Sequence, residues 1–177
     1  MKTSARPQVR WFAAAAVVCA SVPAVAAGLT VQVTLPGFTT ANAYRPYLAA
    51  WVEQAADNTP VGTLAVWYDV KLRDGLGKSW LRQLRTWWRG PGAQLALPMD
   101  GVSGATRPAG VHTLHFAGTA PAIAALPAGR YLLAVEVVRE RGDRELLRVP
   151  FEWGGETNAA QAEGSKELGK VLVTVGG

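Results

Sequence analysis

Cysteine is almost absent from this sequence. The 177 residues contain one, Cys19, which lies in an apolar stretch near the N-terminus. We expect this stretch to be removed on secretion, which leaves a mature chain without a thiol. Disulfides, thiolate metal ligands and cysteine nucleophiles are therefore excluded from its chemistry.

The start of the chain has the three parts of a secretory signal. A positive region comes first, with Lys2, Arg6 and Arg10, and the apolar run WFAAAAVVCASVPAV follows. The small residues AVAA that end this stretch provide a cleavage site. The apolar run is too short to span a bilayer comfortably. We therefore expect a signal peptide at 1–27 and a periplasmic mature chain at 28–177 with no membrane span.

The charge of the chain is only slightly one-sided. Lys and Arg number 18 and Asp and Glu number 13, which gives a net charge of +5. Three of the cations and none of the acids lie in the signal peptide, so the net charge of the mature chain falls to +2. Because this surplus is small, no nucleic-acid partner is expected.

The residue constellations of common enzymes are missing as well. We find no paired carboxylates, no serine in a nucleophile elbow and no glycine-rich phosphate loop that opens a helix. His112 and His115 are three residues apart in a predicted strand, which places them on opposite faces. One is expected to pack and the other to be exposed, so no metal site is expected. The sequence thus gives little support to a stand-alone enzyme.

Most of the mature chain has the residue pattern of strands. The predicted strands are residues 29–35, 47–52, 63–70, 111–116, 130–138, 146–153 and 170–175. DNTP at 57–60 and RERGDRE at 139–145 predict turns, and the tail at 154–167 predicts a long surface loop. Trp51 and Trp67 lie within strands and are expected in the core. About seven strands predict one all-β domain, an immunoglobulin-like antiparallel β-sandwich.

One segment, at about 76–89, has helical rather than strand spacing. The apolar residues expected on one face are Trp80, Leu81, Leu84, Trp87 and Trp88. The basic residues expected on the other side are Lys78, Arg82, Arg85 and Arg89. The pattern predicts one inserted amphipathic helix that ends at Gly90 and Pro91. Its basic face is either solvated or binds an anion. A membrane-surface role is less favoured, because the tryptophan face is needed to cover the sandwich.

The loop 98–110 reads PMDGVSGATRPAG and contains the string DGVSGAT. In its simplest interpretation the loop is a turn, since Asp, Gly and Ser all favour turns. The string also fits the pattern D-x-x-[S/T]-G-A-T, which resembles the acceptor site of bacterial flavin transferases. The same pattern occurs in the flavinylated subunits of sodium-pumping quinone reductases. That resemblance implies that FMN is attached covalently to Thr106 through a phosphoester. The implied recognition residues are Asp100, Ser103, Gly104 and Ala105.

The residue types of this loop suit a substrate of another enzyme. A threonine hydroxyl is a poor nucleophile and the loop has no base, so a separate FAD- and metal-dependent transferase would supply both base and metal. Small residues let a foreign backbone approach closely, and Pro98 and Pro108 stiffen the flanks. Arg107 and the arginines of the predicted helix are candidates to neutralise the FMN phosphate. Trp80, Trp87 and Trp88 are close to the loop in sequence, which makes them candidates to shield a planar ring, although core packing is the favoured interpretation of each one. The candidates to border the flavin ring are Trp87, Trp88 and His112.

A broader resemblance covers nearly all of the mature chain. It is carried by AYRPYLAAWVEQA, PVGTLAVWYD, KSWLRQLRTWWR, DGVSGATRPAGVHTLHF and PAGRYLLAVEVVRERGDRELLRVPFEWGG. These segments are similar to the periplasmic "domain of unknown function" family 2271. Members of that family resemble components of extracytoplasmic electron transfer and occur beside flavin transferases and membrane-bound PepSY-type reductases.

Two functions of different classes follow. The resemblance implies an electron-transfer flavoprotein, an electron carrier rather than a stand-alone enzyme, with a PepSY-type reductase or other redox partner. The alternative is a non-redox periplasmic immunoglobulin-like module that binds a protein or a glycan, since the fold alone does not decide function. In that case the loop at 98–110 is only a turn.

Overall fold

The computed structural model describes residues 28–39 and 44–176. The predicted signal peptide at 1–27, with Cys19, lies outside the described residues. The strands are β1 (Gly28–Leu35), β2 (Tyr47–Gln54), β3 (Pro60–Tyr68), β4 (Ser103–Ala105), β5 (Gly110–Phe116), β6 (Gly129–Val138), β7 (Arg144–Trp153), β8 (Asn158–Glu163) and β9 (Lys170–Gly176). The predicted all-β sandwich is confirmed, and each of the seven predicted strands is present.

The strands form two sheets that pack face to face. One has four strands in the order β5-β1-β9-β8, and the other has five in the order β4-β3-β2-β6-β7. Neighbouring described strands are antiparallel except β3 and β4, which run parallel. On one side the sheets are joined by contacts of β7 with β8 and β9. On the other side the chain passes from β4 to β5 through residues 106–109.

The core follows from the spacing of apolar residues along the strands. In β1 every second residue is buried, from Leu29 to Leu35, because one face meets the other sheet and one faces solvent. β2 is buried on both faces, since the segment between β3 and β4 covers the outer face of its sheet. Trp51 and Trp67 are both buried as predicted, Trp67 between the sheets and Trp51 under the covering segment.

The helical insert predicted at about 76–89 is present, but it is broken into short pieces instead of forming one helix. The helical pieces are 3-10 turns at Arg73–Gly75, Trp80–Gln83 and Gly92–Gln94 and the short helices α1 (Leu76–Ser79) and α2 (Arg85–Arg89). The chain leaves helical geometry at Leu84, where ψ is 73°. Beyond this break the N–H groups of Thr86 and Trp87 donate to the buried Glu136 carboxylate of β6. Tertiary hydrogen bonds thus replace helical ones.

The break also overturns the predicted apolar face. Leu81, Leu84 and Trp87 are buried against the sheet, but Trp80 is 48% exposed. A helix keeps its side chains in register only while its turns are continuous. Because the phase changes at Leu84, Trp80 and Trp87 do not share a face.

The tail at 154–167 was predicted to be a long surface loop, and this prediction is wrong for part of it. It contains β8, which pairs with β9 from Asn158 to Glu163. Its sequence, NAAQAE, has few of the β-branched and aromatic residues that indicate strands. Pairing with β9, rather than intrinsic preference, makes this segment a strand.

Candidate functional site

The string DGVSGAT forms a turn followed by an edge strand. Gly101 has a φ of +73°, a conformation that glycine adopts without strain. The turn closes when the Ser103 N–H donates to the Met99 carbonyl and the Met99 N–H donates to the Ser103 hydroxyl. β4 then runs beside β3 at the edge of the five-stranded sheet. The residues that the motif specifies therefore shape an exposed corner of the fold.

Gly104 has a packing reason of its own. It pairs with Trp67 of β3, and a Cβ at this position would lie 3.3 Å from the Cδ1 atom of that indole. A larger side chain would press on the tryptophan. Asp100 and Ala105 are exposed, while Ser103 and Gly104 are half-buried.

Thr106 follows β4 directly and lies in the wall of an open groove. Its side chain is half-buried, and no hydrogen bond joins its hydroxyl to another residue in the described part of the chain. The groove has a volume of about 1050 Å³. It lies where β3 and β4 end and β2 begins, between the β6–β7 hairpin and the segment that contains α1 and α2. Thr106 thus lines a cavity large enough for a cofactor.

Positive charge predominates in this groove. Its basic residues are Arg45, Lys71, Arg85, Arg139, Arg141 and Arg144, and its acids are Asp69, Glu140 and Asp143. Two of the arginines are held by buried carboxylates below. Arg139 Nε lies 2.9 Å from Glu167 Oε2, and Arg144 Nη1 lies 2.6 Å from Glu136 Oε1. The other four cations form no ion pair with a described carboxylate and are available to an anion.

The groove also carries exposed apolar surface. Tyr44, Val70, Leu72 and Trp80 line it, and each is at least 40% exposed. Exposed apolar side chains that lie together mark binding sites more often than scattered ones. The groove therefore combines aromatic and aliphatic walls with unpaired cations.

Tyr47 contributes a neutral hydroxyl to the same wall. Burial raises the pKa of its phenol above the ordinary value. A hydrogen bond with the Asp69 backbone opposes the rise, and the negative charges of Asp69 and Glu140 add to it. The phenol therefore keeps its proton at neutral pH and remains a hydrogen-bond donor.

The chain matches the model of a known protein family. The family described as "Predicted periplasmic protein (DUF2271)" matches residues 28–170, most of the chain. The chain belongs to the DUF2271 family. Its periplasmic location, expected from the signal sequence, agrees with that description. No curated protein and no solved structure matches the chain.

One further finding concerns the membrane. Within residues 28–39 and 44–176 of this DUF2271 protein, none of the helices has the length and apolar character needed to cross a bilayer.

The other residues predicted to surround the flavin do not line the groove of the DUF2271 protein. Trp87 is fully buried and donates from Nε1 to the Thr63 hydroxyl, and the half-buried Trp88 packs against the same cluster. Arg107 and His112 both lie against Trp67, with the guanidinium 4.2 Å from the indole centroid. Packing against the two faces of the five-stranded sheet determines where these four residues lie, and closeness to Thr106 in sequence does not.

Of the basic residues of the predicted helix, only Arg85 reaches the groove, whereas Arg82 and Arg89 do not line it. The groove's other free cations, Arg45, Lys71 and Arg141, were not among the predicted contacts. The β6–β7 turn was predicted, but its position beside Thr106 depends on the pairing of β6 with β2, which sequence spacing does not reveal.

The two histidines lie on opposite faces of β5, as predicted. His112 Nε2 is 2.8 Å from the Pro108 carbonyl oxygen, while His115 Nδ1 is 3.1 Å from the Thr30 hydroxyl. In the described portion of the DUF2271 chain, no three His, Cys, Asp or Glu side chains converge as metal ligands.

Proposed function

We propose that this protein is a periplasmic electron-transfer flavoprotein in which FMN is joined to Thr106 through a phosphoester. A separate flavin transferase makes the attachment. The observation that carries the proposal is the position of Thr106 on an open, cation-lined groove. An acceptor hydroxyl packed inside the sandwich would be out of reach of any modifying enzyme.

The edge position of the motif supports access by a transferase. β4 has only three residues and a neighbouring strand on one side, so the other side of DGVSGAT is free for a foreign backbone. Asp100 and Ala105 are exposed next to it. In this proposal Asp100, Ser103, Gly104 and Ala105 fit the cleft of the transferase.

The groove fits the group that Thr106 would carry. Clefts of roughly 300–1,000 Å³ bury most of a small organic ligand, and the volume here is comparable. Arg45, Lys71 and Arg85 are free to neutralise a phosphate. Tyr44 offers aromatic surface for a planar ring. It takes the role that was expected of Trp87, Trp88 and His112.

FAD supplies both the FMN group and the leaving group of the attachment step. The Thr106 hydroxyl oxygen forms a bond to the phosphorus of the FMN half, the phosphoanhydride bond of FAD breaks, and AMP leaves. The hydroxyl proton passes to a base of the transferase, since no carboxylate or histidine of the described chain is hydrogen-bonded to Thr106. Bound FMN supplies the redox chemistry, while the groove residues bind it, orient it and limit its contact with water.

The test is production in a bacterial periplasm together with a flavin transferase. We expect a band that fluoresces on a denaturing gel for the wild type and for Thr113→Ala, which removes an exposed hydroxyl of β5. Thr106→Ala should give no fluorescence while it keeps the wild-type melting temperature. A wild-type protein that stays colourless beside a positive control would favour the non-redox binding module instead.

A further inference from the structure

A second surface stands out on the segment 71–89, which we call the basic insert. Leu72, Leu76 and Trp80 are 41%, 50% and 48% exposed. The Trp80 N–H donates to the Leu76 carbonyl, so these two side chains are one helical turn apart. Leu72 and Trp80 both line the groove. We call these three exposed apolar side chains the ridge.

The ridge is not part of the packing between insert and sheet. The insert packs on the sheet through three completely buried side chains, Leu81, Leu84 and Trp87. The insert thus has two apolar faces, one that covers the sheet and one that faces solvent. Exposing two leucines and a tryptophan together is unfavourable in water unless something covers them.

Positive charge surrounds the ridge. The exposed cations of the basic insert are Lys71, Arg73, Lys78, Arg82, Arg85 and Arg89. Its single carboxylate is Asp74, and none of the six cations forms an ion pair with a described carboxylate. The remainder of residues 28–177 has nine Lys and Arg against twelve Asp and Glu. The protein is therefore polarised, with its positive charge concentrated on the insert.

We propose that the basic insert docks on the surface of an anionic phospholipid bilayer. Trp80 and the two leucines enter the region between headgroups and acyl chains. The cations of the insert that lie outside the groove contact lipid phosphates; they are Arg73, Lys78, Arg82 and Arg89. Tryptophan favours that interface, and basic residues near the surface are attracted by anionic lipids. Charge and a small apolar ridge together give reversible binding where either alone is weak.

A bilayer fits this surface better than an acidic protein does. The ridge consists of two leucines and a tryptophan among unpaired cations, and a fluid interface accepts such side chains without shape complementarity. The inference does not depend on a modified Thr106. Docking of the insert would hold the open groove beside the membrane, within reach of a membrane-bound redox partner.

The experiment is co-sedimentation of the exported protein, purified from the periplasm, with lipid vesicles. One set contains phosphatidylcholine alone and the other contains phosphatidylcholine with phosphatidylglycerol. Leu76→Ser tests the ridge, and Val111→Ser is its control, because Val111 is exposed on β5 away from the insert. Neither residue lines the groove.

The charge is tested with a triple variant, Arg73→Gln, Lys78→Gln and Arg82→Gln. Arg130→Gln with Lys170→Gln is the control on other surfaces. We expect binding to the anionic vesicles only, a loss of about tenfold in Leu76→Ser and of at least about fivefold per removed cation in the triple variant. The controls and Thr106→Ala should bind like the wild type.

Two results would overturn the inference. One is a wild-type protein that stays in the supernatant with anionic vesicles at low salt, which would leave the insert to an acidic protein partner. The other is binding that falls with salt but is unchanged in Leu76→Ser, because simple charge attraction would then explain it.

Discussion

The carboxylate of Glu136 lies 2.6 Å from Nη1 of Arg144 and also accepts the backbone N–H groups of Thr86 and Trp87. Glu136 is fully buried on β6. One side chain thus connects the β6–β7 hairpin, which forms one wall of the groove, with α2 of the basic insert. The groove depends on this junction.

Replacing Glu136 should therefore weaken the fold strongly. In Glu136→Ala the donors of Thr86 and Trp87 and the Arg144 guanidinium lose their acceptor. A hydrogen bond to a charged group contributes about 1.5–3 kcal/mol, and the buried carboxylate accepts several of them, one from the exposed Arg144. Urea unfolding of Glu136→Ala and of Glu156→Ala, an exposed carboxylate, measures the difference. A loss below about 1 kcal/mol in Glu136→Ala would contradict this role.

Gly77 of α1 packs so closely against the chain just after β3 that a side chain at this position should be destabilising. A Cβ there would overlap the carbonyl oxygen of Asp69. We expect Gly77→Ala to lower the free energy of unfolding by about 1–3 kcal/mol, the usual cost of overpacking. Gly155→Ala is the matched control, since no atom lies within 4 Å of its added Cβ. Equal stability of the two variants would show that Gly77 does not pack closely against the Asp69 carbonyl.

Two tryptophans of the insert should differ in their importance for folding. Trp87→Ala removes a buried indole and leaves a cavity, which costs about 3–5 kcal/mol. Trp80→Ala removes a half-exposed side chain from the ridge and should change stability by about 0.5 kcal/mol or less. Thermal or urea unfolding distinguishes them. If both variants were equally destabilised, the two side chains would share a buried face after all.

The turn between β8 and β9 should be sensitive to acid through Glu145. Burial tends to raise the pKa of its carboxyl, but the N–H groups donated by Ser165, Lys166, Glu167 and Leu168 outweigh it and hold the pKa below its ordinary value. The ionised Glu145 carboxylate therefore stabilises the fold fully above the ordinary pKa of glutamate. This stabilisation is lost as the pH falls through the lowered pKa of the folded protein.

Glu145→Gln should accordingly be less stable than the wild type at pH 7, by about 1.5–3 kcal/mol for hydrogen bonds to a charged group. The gap should narrow as the pH falls below the ordinary pKa of glutamate. Urea unfolding from pH 7 down to pH 3 measures it. A gap that is constant with pH would contradict the assignment.

Much of the fold was predictable because strand periodicity is a local property. The alternation in β1 and the apolar runs of β2 and β6 follow from which faces are buried, and residue spacing shows this directly. β8 and β4 were missed because NAAQAE and SGA have little preference for strands. They become strands through pairing with β9 and β3, which is a long-range effect.

Of the groove residues, Thr106 was singled out from local sequence, and the structure places it in the groove wall. Tyr44, Arg45 and Arg141 join the groove through sheet pairing between distant segments, so no spacing indicates them. Trp87 is close to the motif in sequence, but it is buried against the sheet with Leu81 and Leu84.

The most direct test of the account is the intact mass of the protein produced in the periplasm together with a flavin transferase, followed by mass mapping of its peptides. We expect the mass to rise by one FMN less one water, with the addition on Thr106, and Thr106→Val to keep the unmodified mass. An unmodified wild-type chain beside a fully modified control acceptor, or an addition that persists in Thr106→Val, would contradict it.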